Sequence, residues 1–292
     1  SSVLADANGF HLSCNNAEDG QIDVTAEGGN GVDYIYTLVR SGDPVSPFRT
    51  LTGSGSEAFT NLPFGNYTLT VTDRLGCGSQ PSIAVIVNPP PFEPGFVGIN
   101  QSICFGDDPD AVEELVAPFG GVLNYQYQWQ ESLTGSLNDA EWSDIAGALS
   151  SEFTPPAQLA QTTFYRRLVR TGTCAVRGHE NRVEVRVNPL PEITFAGPAE
   201  VCQGESFLLE LDLITGTAPF EYVYSNGVET FPTLLGSVNT RIPVSNIQET
   251  TTYTVLHVRD LNGCEIVPSV PPVTVDVTKI DPNFIVLAPD AQ

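Results

Sequence analysis

The sequence has little positive charge and contains no methionine. Lysine and arginine number 12 in 292 residues against 35 aspartates and glutamates, which leaves a formal net charge of −23. A chain with this charge repels nucleic acids and anionic membranes, so we expect it to bind neither directly. No apolar run approaches the roughly 20 residues of a membrane span and no signal peptide is recognisable, so we expect any secretion signal or anchor to lie outside this segment.

Residue groups that carry catalysis are also scarce. The three histidines, His11, His179 and His257, are widely separated, and none adjoins a serine or cysteine nucleophile in a known motif. No glycine-rich phosphate-binding loop follows a predicted strand. The sequence therefore predicts a protein that is not an enzyme.

The chain does contain a repeated stretch that ends in cysteine. It occupies residues 62–77 (LPFGNYTLTVTDRLGC) and returns at 159–174 and 247–264. Each copy has an apolar first residue, a turn, a run of alternating apolar positions and a second tight turn, which predicts a β-strand leading into a hairpin. In the first copy we expect Tyr67 and every second residue after it to face one side of a sheet, with Thr68 facing the other.

The six cysteines fall into three pairs along the sequence, and the members of a pair are much farther apart than one pair is from the next. The pairs are Cys14 with Cys77, Cys104 with Cys174, and Cys202 with Cys264. One disulfide in each domain is the simplest connectivity, although six cysteines allow fifteen. Closing such a loop is worth about 4 kcal/mol in the chain-entropy model. An even count without metal-type spacing predicts an oxidising, extracellular location.

Length and repetition predict three domains of roughly 100 residues each. The expected boundaries are 1–91, 92–191 and 192–278, with 279–292 forming a linker and the first strand of a further domain. Short alternating segments with frequent turn signals are typical of β-sandwiches. The predicted fold is therefore all-β, a tandem array of three immunoglobulin-like β-sandwich domains with one disulfide each.

Proline-rich segments separate these predicted domains. Residues 87–91 read VNPPP and residues 187–191 read VNPLP. Proline favours extended backbone, so we expect stiff connections that hold neighbouring domains in line.

The first predicted domain, with LSCNNAEDGQIDVTAEGGNG and LPFGNYTLTVTDRLGC, resembles the SprB-type repeat of large gliding and surface adhesins of Bacteroidota. The second, with SICFGDDPDAVEEL and GGVLNYQYQWQESLTG, and the third, with EVCQGESFLLEL and TTTYTVLHVRDLNGC, are similar to the immunoglobulin-like or PKD-like modules that accompany such repeats. The resemblance implies secretion by the type IX route and display on the cell surface.

Two candidate binding sites stand out. Asp107, Asp108 and Asp110 follow Cys104 closely and supply the oxygen ligands that Ca²⁺ prefers, although their spacing does not match an EF-hand loop. A solvated acidic surface is the simpler interpretation. Trp142 lies in a predicted loop, where we expect an exposed ring that stacks on a glycan.

Alternating aromatic residues occur in three predicted strands. They are Tyr34 and Tyr36, then Tyr125, Tyr127 and Trp129, and finally Tyr222 and Tyr224. A water-facing row of rings would suit sugar binding, but core packing is the commoner outcome in sandwich strands, and we expect core packing here.

The function predicted from the sequence is that of a stiff, disulfide-stapled stalk in a long extracellular adhesin or surface fibre, used for adhesion or gliding. Its expected partners are neighbouring repeats or identical chains, and an unpaired strand at 284–288 (FIVLA) is a candidate for completing a neighbouring sheet. The alternative is a carbohydrate-binding or spacer region of a secreted polysaccharide-degrading enzyme, with surface polysaccharide as the partner.

Overall fold

A computed structural model describes residues 2–5, 8–29, 33–45, 47–178 and 180–279. The described chain is built from β-strands, and its helical content is a single 3₁₀ turn, Asp139–Glu141. The all-β prediction is therefore confirmed. The edge strand proposed at 284–288 lies outside the described residues, as does all but residue 279 of the linker and further strand predicted at 279–292.

The first seven strands form two antiparallel sheets. These strands are β1 (Ser2–Val3), β2 (Gly20–Thr25), β3 (Tyr34–Arg40), β4 (Arg49–Gly53), β5 (Ser56–Leu62), β6 (Gly65–Thr72) and β7 (Ser82–Ile86). One sheet has the order β1-β2-β5 and the other β4-β3-β6-β7. This arrangement gives the Greek-key connections of an immunoglobulin-like sandwich.

The core of this first sandwich comes from alternating residues of both sheets. In β2 the side chains of Ile22 and Val24 are buried, and in β6 those of Tyr67 and Leu69 are buried on the one face that the alternation predicted they share. The Tyr67 hydroxyl donates a hydrogen bond to the carbonyl of Pro63 at 2.6 Å. A tyrosine at the start of this strand that bonds to the backbone a few residues upstream is a hallmark of immunoglobulin-like domains.

The next seven strands carry the middle third of the chain. They are β8 (Phe96–Val97), β9 (Gln101–Cys104), β10 (Glu114–Val116), β11 (Tyr125–Ser132), β12 (Ser143–Asp144), β13 (Thr163–Thr171) and β14 (Arg182–Asn188). Strand β11 pairs antiparallel with β12 and with β13, whereas β9 pairs parallel with β14. Trp129 in β11 is fully buried, and its ring stacks on Phe153 with centroids 5.3 Å apart.

The last nine strands repeat the plan of the first seven. They are β15 (Glu192–Ala196), β16 (Glu200–Cys202), β17 (Phe207–Thr215), β18 (Phe220–Ser225), β19 (Leu234–Gly236), β20 (Asn239–Val244), β21 (Thr251–Arg259), β22 (Glu265–Ile266) and β23 (Val273–Thr278). One sheet has the order β15-β17-β20 and the other β16-β23-β21-β18-β19. Strand β16 runs parallel to β23, as β9 runs parallel to β14.

The described residues group into two compact units. The first comprises residues from 1–99, 111–154 and 164–184, and the second comprises residues from 100–110, 155–163 and 185–292. The division cuts through the middle third of the chain, so it does not coincide with the three domains expected from the sequence. Those domain boundaries therefore stay a prediction.

Candidate functional site at the cysteine-bearing strand ends and turns

Two disulfides join the cysteines among the described residues, and neither has the predicted connectivity. Cys14 is bonded to Cys174 within the first unit, and Cys104 is bonded to Cys264 within the second. Cys77 and Cys202 carry free, exposed thiols. The prediction of one disulfide in each domain, with Cys14–Cys77, Cys104–Cys174 and Cys202–Cys264 as pairs, is wrong.

Strand direction explains why a domain does not close its own cysteine pair. Cys202 ends β16 and lies opposite Thr278, the last residue of the parallel strand β23. Cys264 lies in the turn region before Val273, where β23 begins. Strand β21 pairs with the start of β23 at Tyr253 and runs on to Arg259, which pairs with Glu265, so Cys264 lies beyond the start of β23. The six residues of β23 alone span roughly 17 Å, whereas a disulfide needs Cα atoms within about 7 Å.

The strand-end cysteines have matching surroundings. Cys104 lies opposite Asn188 in the parallel pair β9–β14, as Cys202 lies opposite Thr278. The amide after Cys104 donates to the Asn188 carbonyl at 2.8 Å, and the amide after Cys202 donates to the Thr278 carbonyl at 3.0 Å. The two cysteines therefore occupy equivalent positions at the end of equivalent strands.

Each of these cysteines is followed by a turn that closes on an acidic side chain. The amide of Asp107 donates to the Cys104 carbonyl at 3.0 Å, and the amide of Glu205 donates to the Cys202 carbonyl at 3.2 Å. In return, the Cys104 amide donates to Asp107 Oδ2 at 3.4 Å, and the Cys202 amide donates to Glu205 Oε2 at 3.0 Å. The acidic residue thus holds the cysteine backbone in place.

The turn cysteines Cys77 and Cys264 also match each other. The Cys77 amide donates to Asp73 Oδ1 at 2.9 Å, and the Cys264 amide donates to Asp260 Oδ1 at the same distance. The amides of Asp73 and Asp260 donate back to the carbonyls of these cysteines at 3.0 and 2.9 Å. Both aspartates are buried. The sequences DRLGC and DLNGC therefore form the same turn, with glycine at a positive φ before each cysteine.

The asparagines of the predicted linkers form hydrogen bonds close to Cys14 and Cys104. Asn88 accepts from the amide of Asn16 at 2.8 Å, and Asn188 donates to the carbonyl of Ile103 at 3.0 Å. The linkers are thus hydrogen bonded where they leave each sheet, in addition to being stiffened by proline.

The acidic loop that was a calcium candidate is held by protein hydrogen bonds. Asp107 accepts a hydrogen bond from the Cys104 amide, and the Asp108 side chain accepts one from the amide of Gln158 at 3.1 Å. The backbone of Asp110 bonds to a glutamine side chain. Across the described part of the chain, no group of three or more His, Cys, Asp or Glu residues is arranged to hold a metal ion. The structure therefore gives no support to a calcium site at these aspartates.

Trp142 is buried, so the expectation of an exposed ring is wrong. Only 7% of its surface is accessible, and its indole Nε1 donates to the carbonyl of Ser136 at 2.9 Å. The guanidinium of Arg166 lies 4.4 Å from the ring centroid and pairs with Asp139 at 2.8 Å. Because Arg166 covers a ring face, the arrangement does not suit stacking on a sugar.

The aromatic rows pack inward, as expected. Tyr34, Tyr36, Trp129, Tyr222 and Tyr224 are buried, and the remaining two tyrosines of the rows are half-buried. Burial raises the pKa of Tyr36 and of Tyr224 above the ordinary value, because the charged phenolate loses its hydration. These rings form a core rather than a glycan platform.

Two features of the structure were not predicted from the sequence, the buried arginines and the connectivity of the disulfides. Arg166 and Arg167 interrupt the apolar alternation of β13, yet both are almost completely buried. Their burial has no clear signal in the sequence. The disulfide connectivity does have a signal in the sequence, because both bonded pairs, Cys14 with Cys174 and Cys104 with Cys264, are separated by 160 residues.

Comparisons with other proteins give limited matches. The model of a family described as a domain of unknown function (DUF8696) matches residues 93–189. A comparison with curated protein sequences finds no match. In the described part of the chain, no helix is long and apolar enough to cross a membrane.

Solved structures of immunoglobulin domains align with most of this chain at low similarity. Drosophila OTK extracellular domains 3–5 cover 96% of this chain and 100% of their own at 13% identity, with a TM-score of 0.35. The N-terminal eight Ig domains of DSCAM cover 95% of this chain and 42% of theirs at 13% identity and a TM-score of 0.39. Sidekick-1 immunoglobulin domains 1–5 cover 96% and 60% at 14% identity and a TM-score of 0.32. Likenesses at this level carry no conclusion about binding or function.

Proposed function

We propose that this chain is a non-catalytic extracellular segment of a long repeat adhesin or surface fibre, in which linked immunoglobulin-like sandwiches act as a stiff stalk. The repeated connectivity of the two disulfides carries this proposal. In each disulfide, the first cysteine is bonded to one that lies 160 residues further along the chain: Cys14 to Cys174, and Cys104 to Cys264. The same connection made twice along one chain supports a continuous array, whereas independent domains would need only internal bonds.

The proposed array has three modules, at 1–91, 92–191 and 192–278. The shared sheet order of the first and last sets of strands supports this division. The family model that matches residues 93–189 also supports it, because the match falls within the second module. Under this division each disulfide links one module to the next.

The stalk would resist extension because the disulfides lock long stretches of chain. A cross-link over a loop of this size removes about 5 kcal/mol of chain entropy from the unfolded state in the chain-entropy model. Interleaving matters as well, since Cys104 lies inside the loop closed by Cys14 and Cys174. Pulling on the two ends therefore transmits force through both disulfides and through residues 104–174 between them, and the rest of each loop is kept from extending.

An extracellular location follows from the same chemistry. Disulfides persist in oxidising compartments, and the net charge of −23 keeps an exposed array soluble. Use in adhesion or gliding, and secretion by the type IX route, are the finer parts of the proposal and rest on the resemblance to SprB-type repeats. The proposed partners are neighbouring repeats or identical chains in a fibre.

Single-molecule pulling tests the stalk. The purified chain, held by its two ends, should extend much less when oxidised than after reduction. Reduction should release more than about 100 further residues of contour at about 3.5 Å each. A Cys14→Ser/Cys104→Ser variant should extend fully without reductant. Equal extension of the oxidised and reduced wild-type chain would contradict the mechanical role.

Surface display needs a separate test on the organism that makes the protein. Protease added to intact cells should remove the chain, while a periplasmic control protein should survive. Inactivation of the type IX secretion machinery should leave the chain inside the cell. Protection from protease on intact, secretion-competent cells would contradict the extracellular proposal.

A further inference from the structure

Two cysteines remain unbonded although each occupies the position of a bonded one. Cys202 has the surroundings of Cys104, and Cys77 has the surroundings of Cys264. Cys104 and Cys264 are bonded to each other. Cys202 therefore corresponds to the strand-end cysteine of this disulfide and Cys77 to its turn cysteine, but neither has a bonded partner.

We propose that Cys202 forms a disulfide with the turn cysteine of another sandwich, and that Cys77 forms one with the strand-end cysteine of another sandwich. The linkage seen twice within the chain would then continue in both directions. This inference deepens the proposed stalk and rests on it, because it adds covalent links between successive segments.

The strand-end position is preformed at Cys202. Parallel pairing with Thr278 and the bond to Glu205 fix its backbone as Asn188 and Asp107 fix that of Cys104. Its side chain is exposed, so a thiol from another sandwich can reach it.

The turn position is equally preformed at Cys77. Buried Asp73 holds this turn with the same two hydrogen bonds that Asp260 makes around Cys264. The two turns differ in exposure, since Cys264 is fully buried and Cys77 is exposed. This difference is expected if a turn cysteine becomes buried only when its strand-end partner is bonded to it.

The ligand for Cys202 is defined by chemistry, as a cysteine thiol in a turn of the type Asp-x-x-Gly-Cys. A second copy of this chain supplies one, because residues 73–77 read DRLGC. A further sandwich with the same turn, in a longer form of this polypeptide, would offer the same group. The peptide found bonded to Cys202 in the protein from the cell surface distinguishes the two sources.

Bond formation balances with an external disulfide as oxidant, for which oxidised glutathione serves as the probe. The Cys202 thiolate attacks one sulfur of glutathione disulfide and releases one glutathione thiolate. The Cys77 thiolate of the partner then attacks the mixed disulfide and releases the second. Two protein thiols are oxidised and one glutathione disulfide is reduced to two glutathione thiols, which take up the two protons that the protein thiols lose.

The first arm uses complementary variants of the full chain with the two native disulfides intact. Cys77→Ser retains only the strand-end thiol, and Cys202→Ser retains only the turn thiol. Mixed in a glutathione redox buffer, they should form at least about tenfold more disulfide-linked dimer than either variant alone, because only the mixture contains both the strand-end thiol and the turn thiol. The wild-type chain should form longer linear oligomers, and the double variant should remain monomeric.

The second arm maps disulfide-bonded peptides in the protein taken from the cell surface, after free thiols are blocked. A Cys202–Cys77 bond between two chains identifies the second copy as the source. A bond from Cys202 to a cysteine outside the 292 residues, in a turn of the same type, identifies a further sandwich. Free thiols, glutathione adducts or a Cys77–Cys202 bond within one chain would overturn the proposal.

The two proposals fail in different ways. Free thiols at Cys77 and Cys202 on a surface-displayed chain that still resists pulling would remove only the continued linkage. Loss of surface display or of disulfide-locked extension would remove the stalk itself, whatever the state of these two thiols.

Discussion

Cys14 and Cys174 lie 160 residues apart in sequence, and a disulfide joins them with their Cα atoms 5.4 Å apart. The turn cysteine next after Cys14, which is Cys77, is not its partner. Cys104 likewise bonds to Cys264 rather than to Cys174, the next turn cysteine after it. The bonding partner is therefore set by the end of the sandwich at which a cysteine emerges rather than by order along the sequence.

Removal of the first disulfide should destabilise the first unit strongly. We expect a Cys14→Ser/Cys174→Ser variant to lose about 2–5 kcal/mol of unfolding free energy, because the unfolded chain regains its freedom. Guanidinium unfolding without reductant measures the change. Cys77→Ser is the matched control and should stay within about 0.5 kcal/mol of wild type, as an exposed, unbonded position does. A large loss in the control would restore the Cys14–Cys77 pairing.

Loss of the Tyr67 hydroxyl should weaken the first sandwich. The hydroxyl donates to the Pro63 carbonyl at 2.6 Å in a fully buried side chain. Tyr67→Phe should therefore lower the unfolding free energy by about 1 kcal/mol, the usual net worth of such a bond. Asn66→Ser changes an exposed neighbour on the same strand and serves as the control. Equal midpoints for Tyr67→Phe and wild type would show that the bond contributes nothing.

The cluster around Arg166 should be a stability determinant of β13. Arg166→Ala removes a side chain that stacks on Trp142 and pairs with Asp139, so we expect a loss of about 2 kcal/mol or more. Because Asp139 is largely exposed, the ion pair alone contributes little of this. Arg170→Ala, at an exposed position of the same strand, should change stability by less than about 0.5 kcal/mol. Similar losses in both variants would argue against a specific role for the cluster.

Stability should fall at alkaline pH because of the buried tyrosines. Loss of hydration on burial raises the pKa of several tyrosines above 10.0, namely Tyr36, Tyr67, Tyr125, Tyr127, Tyr222, Tyr224 and Tyr253. The unfolded chain then loses these protons at lower pH than the folded chain. The stabilising contribution is complete below pH 10 and decreases as pH rises above it.

Absorbance of tyrosinate near 295 nm checks this prediction. Native protein should titrate at higher pH than protein in guanidinium, and the unfolding free energy should decline over the same range. Coincident titrations of native and denatured protein would show that burial leaves these tyrosines unperturbed.

Local sequence patterns were sufficient to predict the strands and the inward face of the aromatic rows. Alternation in 62–77 correctly placed Tyr67 and Leu69 on one face of the strand, which is the buried face, and the repeat of this stretch indicated successive sandwiches. Side-chain alternation is a property of the strand itself, so neighbouring residues suffice to reveal it. The same local reasoning failed for Trp142, which a loop position suggested was exposed.

Burial of Trp142 and Arg166 depends on residues distant in sequence. The indole donates to Ser136, while the guanidinium that covers its ring comes from β13. Burying a cation is costly unless it is paired, and here an aromatic face and a carboxylate both contact the guanidinium. Sequence spacing does not report that convergence.

The sequence by itself determined the all-β class, the strands, the number and spacing of the cysteines and the acidic surface. Only the tertiary structure decided which cysteines bond. Parallel pairing carries Cys202 to the last residue of β23, whereas Cys264 precedes the first, so the length of the strand keeps the two thiols apart. A disulfide is a contact of a few ångströms, and the direction of a strand in its sheet determines which cysteines come that close.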